Sequence, residues 1–244
     1  MTTTGHDAGR RRAMGLFGLL LLVPAPTIGV IASMYLWPQS ALGSGIYSAA
    51  KVWILALPVL WWWRFERGRR GRRPVEPPAF RVWPTATSML VGVASGLLIA
   101  ASIGLTYWLV GRHWIDPAAM RERLTGIGLG DPTRFVVFAA FVCTVNSLLE
   151  EYVWRWFVVR RGEEAAGRVA AVFISAACFT LHHVVAMAVY FDARTVALAS
   201  TGVFLGGLIW SVLFARYRNV WPGWISHVIA DVAIMVVGWQ IVFG

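Results

Sequence analysis

The chain has 244 residues, of which 58% are hydrophobic and only 14% are charged, and its mean hydropathy is +0.63. Soluble globular domains are about 45–50% apolar and about 25% charged, so this composition excludes an ordinary soluble protein. The net charge of +10 comes from basic residues that gather at the ends of apolar runs. Such a placement is typical of contact with lipid headgroups and not of nucleic-acid binding.

Seven apolar runs that are long enough to cross a bilayer follow one another along the chain. They lie at about 14–37, 45–63, 87–110, 135–158, 169–191, 195–214 and 221–243. The sequence therefore predicts an all-α fold, a polytopic transmembrane helix bundle of about seven spans. We expect Pro24 and Pro26 to kink the first helix. The connector 64–86 is predicted to be an exposed loop, and the connector 111–134 to carry a short amphipathic helix.

Basic residues are distributed unevenly between the two ends of the predicted spans. Four Arg-rich segments fall on one side: Arg10–Arg12, the 64–73 run, Arg155–Arg168 and Arg216–Arg218. Because basic loops stay in the cytoplasm, this pattern places the N-terminus inside and the C-terminus outside, with the 111–134 connector as the exception. We expect an integral, multi-pass protein of the bacterial inner (cell) membrane. Cys143 and Cys178 lie within spans and are interpreted as small buried hydrophobic residues.

Three acidic side chains and three histidines lie inside the predicted spans. Each costs about 2.5–3.5 kcal/mol to insert into a bilayer, which makes such a set a candidate functional site. They are three acidic residues and three histidines, in three clusters: Glu150, Glu151, His182, His183, His227 and Asp231.

The first cluster is Glu150-Glu151-Tyr152-Val153-Trp154-Arg155. Glu151 and Arg155 are four residues apart, so they share a helical face and can pair. A purely structural alternative is a salt bridge at the end of the helix, with Arg155 reaching the membrane interface. That alternative leaves Glu150 without a partner. Asn146 lies one turn earlier on the same face as Glu150.

The second cluster runs from Phe179 to His183, and the third from His227 to Asp231. Adjacent histidines point to different faces of a helix, so we expect only one of His182 and His183 to share the site. His227 and Asp231 lie on one face, where the carboxylate could orient the imidazole by accepting its N–H. Taken alone, each histidine could equally be a hydrogen-bonded packing residue, and His227–Asp231 a self-satisfied buried pair.

Together the clusters supply carboxylates, imidazoles and a guanidinium from three helices. This set suits activation of a water molecule and stabilisation of an oxyanion, and it could equally ligate zinc. The residues alone leave two other classes of membrane protein open. One is a proton- or ion-coupled transporter, and the other is a catalytically silent membrane scaffold.

The three clusters, in this order, resemble the motifs of the CPBP family, also called the CAAX-protease and bacteriocin-processing or Abi family. The family pattern is EExxxR, then FxxxH, then HxxxN or HxxxD, on successive membrane helices. The likeness covers about 135–235 and includes the segment Gly202 to His227, which is similar to the family's penultimate helix and turn. The chain is therefore divided into three predicted regions: a basic cytoplasmic N-terminus (1–13), N-terminal transmembrane helices and loops (14–134), and CPBP-like catalytic core helices (135–244).

The resemblance implies a glutamate-type intramembrane endopeptidase acting near the cytoplasmic face on a membrane-anchored or lipid-modified protein. By analogy Glu150 is the general base, His183 helps to activate the water, and His227 and Asp231 bind the oxyanion. Where Asp231 stands, the eukaryotic branch typically has Asn. An anionic Asp repels an oxyanion, so here Asp231 is interpreted as orienting His227 instead. Glu151, Arg155, Asn146 and Phe179 would support the site. The glutamate-type mechanism requires no cofactor; if zinc binds, its ligands would be Glu150, His183 and His227.

Overall fold

The computed structural model describes residues 3–66 and 83–244. Its elements are helices, and seven of them are long and apolar enough to span a membrane. The predicted all-α polytopic bundle is therefore confirmed, and the chain is an integral multi-pass membrane protein. In chain order the helices are α1 (Ala8–Leu36), α2 (Ala41–Glu66), α3 (Ala86–Trp114), α4 (Pro117–Gly126), α5 (Pro132–Ala166), α6 (Arg168–Met187), α7 (Ala193–Tyr217) and α8 (Trp221–Phe243).

The ends of several helices follow from local chemistry. In α1 the helix is interrupted at Val23, next to Pro24 and Pro26, whose nitrogens carry no hydrogen for the helical ladder. The predicted short helix in the 111–134 connector is α4, and the Asp116 carboxylate caps it by accepting from the amide of Ala118 at 2.9 Å. Residues 67–82, most of the predicted 64–86 loop, lie outside the described part of the chain.

The predicted end of the fourth span, near 158, is wrong, because α5 continues to Ala166. The polar residues after Val159 remain helical until Gly167, whose φ of 85° breaks the helix. Arg155 therefore lies eleven residues before the end of α5 instead of at it.

α5 widens into π-helical turns over Phe141–Asn146 and again over Glu151–Val159, on both sides of Glu150. Backbone carbonyls in this region accept hydrogen bonds from side chains as well as from the backbone of the helix. The Ser147 hydroxyl donates to the Cys143 carbonyl at 2.6 Å, and Trp224 Nε1 of α8 donates to the Thr144 carbonyl at 3.0 Å. Hydroxyls that bond back to a preceding turn bend helices, and wide turns of this kind are common at functional sites.

Helix α3 packs closely along α8, which carries His227. Gly92 and Gly96 of α3 lie so near the backbone of Pro222 and Ser226 that a β-carbon on either would come within 3.0 Å of it. Small residues four apart allow membrane helices to approach in this way. A helix from the predicted N-terminal region thus fixes the position of a helix from the predicted core.

The end of the bundle where α5 ends and α6 begins is held by ion pairs between helices. Arg161 of α5 pairs with Glu66 of α2 at 2.7 Å and with Glu164 at 2.9 Å. Arg218, just after α7, pairs with Glu163 at 2.8 Å. Large apolar side chains cover much of the outside of the bundle, as expected where helices face lipid.

Candidate active site

The three polar clusters meet between α5, α6 and α8. Oε2 of Glu150 lies 3.6 Å from Nε2 of His227. Ligand-capable atoms of Glu150, His182 and His183 all lie within 4.8 Å of one another. The fold thus brings Glu150, His183 and His227 into one polar site among membrane-spanning helices.

Both histidines of α6 lie beside Glu150, so the expectation that only one would share the site is wrong. Their ring centroids are 4.1 Å apart. Adjacent residues do point about 100° apart on a helix. The carboxylate of Glu150 nevertheless lies close to both rings, because it approaches α6 from the neighbouring helix.

Glu150 is held by its own helix and remains partly open. Oε1 of Glu150 accepts a hydrogen bond from Asn146 Nδ2 at 2.9 Å, on the face that the sequence predicts for both residues. The Glu150 side chain is 15% exposed. It is therefore oriented but still accessible to a small molecule.

Glu151 has the opposite environment, since its side chain is 0% exposed. Oε1 of Glu151 lies 3.2 Å from Nδ1 of His227 and 3.4 Å from Nε of Arg155. The expected hydrogen bond between His227 and Asp231 is not formed, because Nε2 and Oδ1 are 3.7 Å apart. Glu151, on a different helix, takes the orienting position that the spacing within α8 suggested for Asp231.

Arg155 does not reach the membrane interface, so the alternative of an interfacial salt bridge is wrong. Its side chain is 0% exposed and donates to Ser175 Oγ of α6 at 3.1 Å. The guanidinium lies 5.0 Å from the ring centre of Phe179 and 5.6 Å from that of Trp210, where cation–π attraction favours it. Burial between aromatic rings and beside Glu151 keeps this charge inside the bundle.

Phe179 supports the site through its backbone as well as its ring. Its carbonyl lies 2.8 Å from Nδ1 of His183. With the proton on Nδ1, His183 donates to this carbonyl, and Nε2 is left with a lone pair.

Sequence reasoning missed several residues that position His227. Trp210 of α7 stacks on the His227 ring, with centroids 3.8 Å apart and planes inclined by 16°. Trp210 Nε1 donates to Ser226 Oγ at 3.1 Å, and Ser95 Oγ of α3 lies 3.0 Å from the same hydroxyl. These contacts join residues far apart in the sequence, so no local pattern reveals them.

Gly223 is a further missed residue, and it gives the first testable prediction. A β-carbon at Gly223 would lie 2.5 Å from Glu151 Oε2. We expect Gly223→Ala to displace Glu151 from His227 and to lower both thermal stability and activity, by about 1–3 kcal/mol in stability as for other overpacked sites. Gly202→Ala in α7 is the matched control, because nothing lies within 4 Å of its β-carbon position. Equal melting temperatures for the two variants in detergent would contradict this packing.

The arrangement supplies the chemistry of hydrolysis. A partly open carboxylate next to imidazoles can take a proton from water, and a buried imidazole can donate to a developing negative charge. Glu151 and Arg155 neutralise each other's charge, and Glu151 holds the imidazole of His227.

Residues 132–233 match the sequence model of a family described as type II CAAX prenyl endopeptidase Rce1-like. No curated protein and no solved structure matches the chain. The matched segment contains all three motifs, from Glu150 to Asp231, and over these residues the chain is similar to that family.

Proposed function

We propose that this protein is an intramembrane endopeptidase that hydrolyses a peptide bond in a membrane-anchored or lipid-modified protein. The observation that carries the proposal is the position of Glu150. It is a partly exposed carboxylate within 3.6 Å of His227 and beside His183, in a segment that matches a CAAX endopeptidase family. Neither a transporter nor a silent scaffold is favoured by a comparable observation.

The two glutamates take different roles because their surroundings differ. Glu151 is fully buried, with Arg155 and His227 as its neighbours, so it is a positioning residue. Glu150 is the accessible carboxylate and serves as the general base. Two carboxylates in unlike environments commonly divide the work of an active site in this way.

The reaction then follows from the geometry. A water molecule between Glu150 and His183 loses a proton to Glu150 as its oxygen attacks the scissile carbonyl. His227, with both ring nitrogens protonated, gives its Nδ1–H to Glu151, stacks on Trp210 and donates its Nε2–H to the resulting oxyanion. Glu150 returns the proton to the leaving amine, which completes the hydrolysis. Asp231, with Oδ1 3.7 Å from His227, borders the oxyanion position without accepting the imidazole proton.

The substrate enters from the membrane and is cut towards the cytoplasmic face. His227 is six residues from the start of α8, a rise of about 9 Å. Glu151 touches Gly223, the third residue of the same helix. The start of α8 adjoins the Arg-rich end of α7, which the positive-inside rule assigns to the cytoplasm. The depth therefore rests on the start of α8 and not on Arg155, which is fully buried.

The proposal is tested by reconstituting the purified chain in liposomes with candidate substrates that carry a C-terminal membrane anchor. Cleavage products identified by mass spectrometry support it. The appearance of proton or solute flux without any cleaved product would favour a transporter, and the absence of both would favour a scaffold. Genes that neighbour the coding sequence are a direct source of candidate substrates.

The proposed orientation gives the second prediction. In a background with Cys143→Ala and Cys178→Ala, Gly244→Cys should react with a membrane-impermeant maleimide added to intact cells. Gly71→Cys, in the predicted 64–86 loop, should react only after permeabilisation, whereas Glu122→Cys in α4 should react from outside. Labelling of Gly244→Cys that requires permeabilisation would contradict the orientation.

A further inference from the structure

Lys51 is the only lysine in the chain, and it lies in the middle of a membrane-spanning helix. It is ten residues after Ala41, the first residue of α2, which is a rise of about 15 Å. That distance is too great for the side chain to extend to the end of the helix, as lysines near helix ends do. A charge at this depth is costly, so its presence calls for a physical reason.

The surroundings of Lys51 stabilise its charge without neutralising it. The ammonium lies 5.5 Å from the ring centre of Tyr47, one turn earlier in α2, where cation–π attraction favours it. None of the carboxylates in the described part of the chain forms an ion pair with it. The residue is only partly buried, so an anion from outside the chain can reach the ammonium.

Lys51 lies on the side of α2 that faces the candidate site. The Tyr152 hydroxyl of α5 donates to the Leu55 carbonyl of α2 at 2.8 Å. Lys51 is one turn before Leu55 and therefore lies on the same face of α2. Its charge is close enough to act electrostatically on both His182 and His183 of α6. A ligand bound to the ammonium would thus lie next to the reacting groups.

We propose that Lys51 binds a carboxylate of the substrate, within a few residues of the scissile bond. The inference rests on the proposed function for its ligand, a peptide held in the membrane. An ammonium offers three donors and a full charge, and its hydrogen bonds to a carboxylate are about twice as strong as those between neutral groups. A peptide carries this group at its C-terminus and on acidic side chains. Lys51 is too deep in its helix for lipid headgroups, which remain at the membrane surface.

The test measures binding without cleavage. The full chain carries Glu150→Gln, so that no probe is consumed, and is placed in nanodiscs with a palmitoylated short peptide of small neutral residues. The peptide is made with a free C-terminal carboxylate, with a C-terminal amide, and as the amide with one glutamate added. We expect a carboxylate to tighten binding about 10–100-fold over the neutral amide, the usual effect of a hydrogen bond between charged groups. The probe that shows this preference identifies the source of the carboxylate.

Substitutions of Lys51 show whether the preference comes from this residue. Lys51→Met has a similar length and no charge, so it should bind acid and amide probes equally, and Lys51→Arg should keep the preference. The melting temperature of Lys51→Met should not fall, because the substitution removes an unpaired charge from the membrane. Lys51→Gln is a second neutral variant if the first does not fold. Arg112→Met is the matched control, because Arg112 is an exposed cation 4.8 Å from the ring centre of Trp108, one turn earlier and outside the site.

Equal binding of the acid and amide probes when Lys51 is present, no binding of any probe, or a preference that survives in Lys51→Met would overturn the inference. Cleavage of a substrate without such a preference would contradict this inference alone and leave the proposed function intact. A preference that depends on Lys51, in a protein that cleaves no substrate, would support the carboxylate site and contradict the proposed function. With Glu150 present and a substrate that is cleaved, Lys51→Met should raise KM about 10–100-fold and leave kcat nearly unchanged.

Discussion

Replacing Glu150 by glutamine is expected to lower the rate of peptide-bond hydrolysis by about 10²–10⁴-fold, the usual contribution of a general base. Glutamine keeps the carbonyl oxygen that accepts from Asn146, so the side chain stays in place. It cannot take a proton from water. The fold should therefore survive while the chemistry is lost, and the melting temperature in detergent should match that of wild type.

Glu122→Gln is the matched control for this substitution. Glu122 is an exposed residue of α4, outside the site, and the same loss of charge there should leave turnover unchanged. Near-normal turnover of Glu150→Gln would show that another group activates the water. In that case the role of Glu150 would be restricted to positioning His227.

The second large effect concerns the buried pair of Glu151 and Arg155. Arg155→Met should destabilise the protein by about 3–5 kcal/mol, because it leaves the charge of Glu151 buried without its guanidinium partner. Glu151→Gln should destabilise it for the reciprocal reason, and it should weaken the bond to Nδ1 of His227, because an amide oxygen is a weaker acceptor than a carboxylate. Unfolding in a denaturing detergent measures both losses.

A double-mutant cycle separates pairing from packing. Glu151→Gln combined with Arg155→Met removes both charges, so its loss should be smaller than the sum of the two single losses. Arg194→Met is the matched control, since Arg194 pairs with Asp192 at 3.2 Å with side chains 72% and 45% exposed. An exposed pair of this kind contributes about 0–1 kcal/mol. Additive losses in the buried pair would mean that the two charges are not coupled.

The number of spans and their order could be predicted from the sequence because lipid requires long apolar helices. The meeting of Glu150, His183 and His227 could also be inferred, because isolated charges in lipid are costly. The burial of Arg155 could not. An arginine near the end of an apolar run is compatible with an interfacial position. Its full burial, its bond to Ser175 and the helical continuation to Ala166 show otherwise.

The residues that tune the site depend on contacts between distant segments. Trp210 contacts His227 across two helices, and Gly223 allows Glu151 to approach because it lacks a side chain. Neither contact can be predicted from the residues that neighbour Trp210 or Gly223 in the sequence. The spacing of Gly92 and Gly96 is different, since two small residues four apart predict a close helix contact and could have been interpreted in that way.

The central claim is that Glu150 activates water within the membrane for a substrate that is anchored there. The most direct measurement compares one peptide with and without its membrane anchor, using wild type and Glu150→Gln in liposomes, and maps the cut by mass spectrometry. The account predicts efficient cleavage of the anchored form by wild type only, because the anchor raises the local substrate concentration, with a cut on the cytoplasmic side. Equal cleavage of the anchored and soluble forms, or a cut on the outer side, would contradict it.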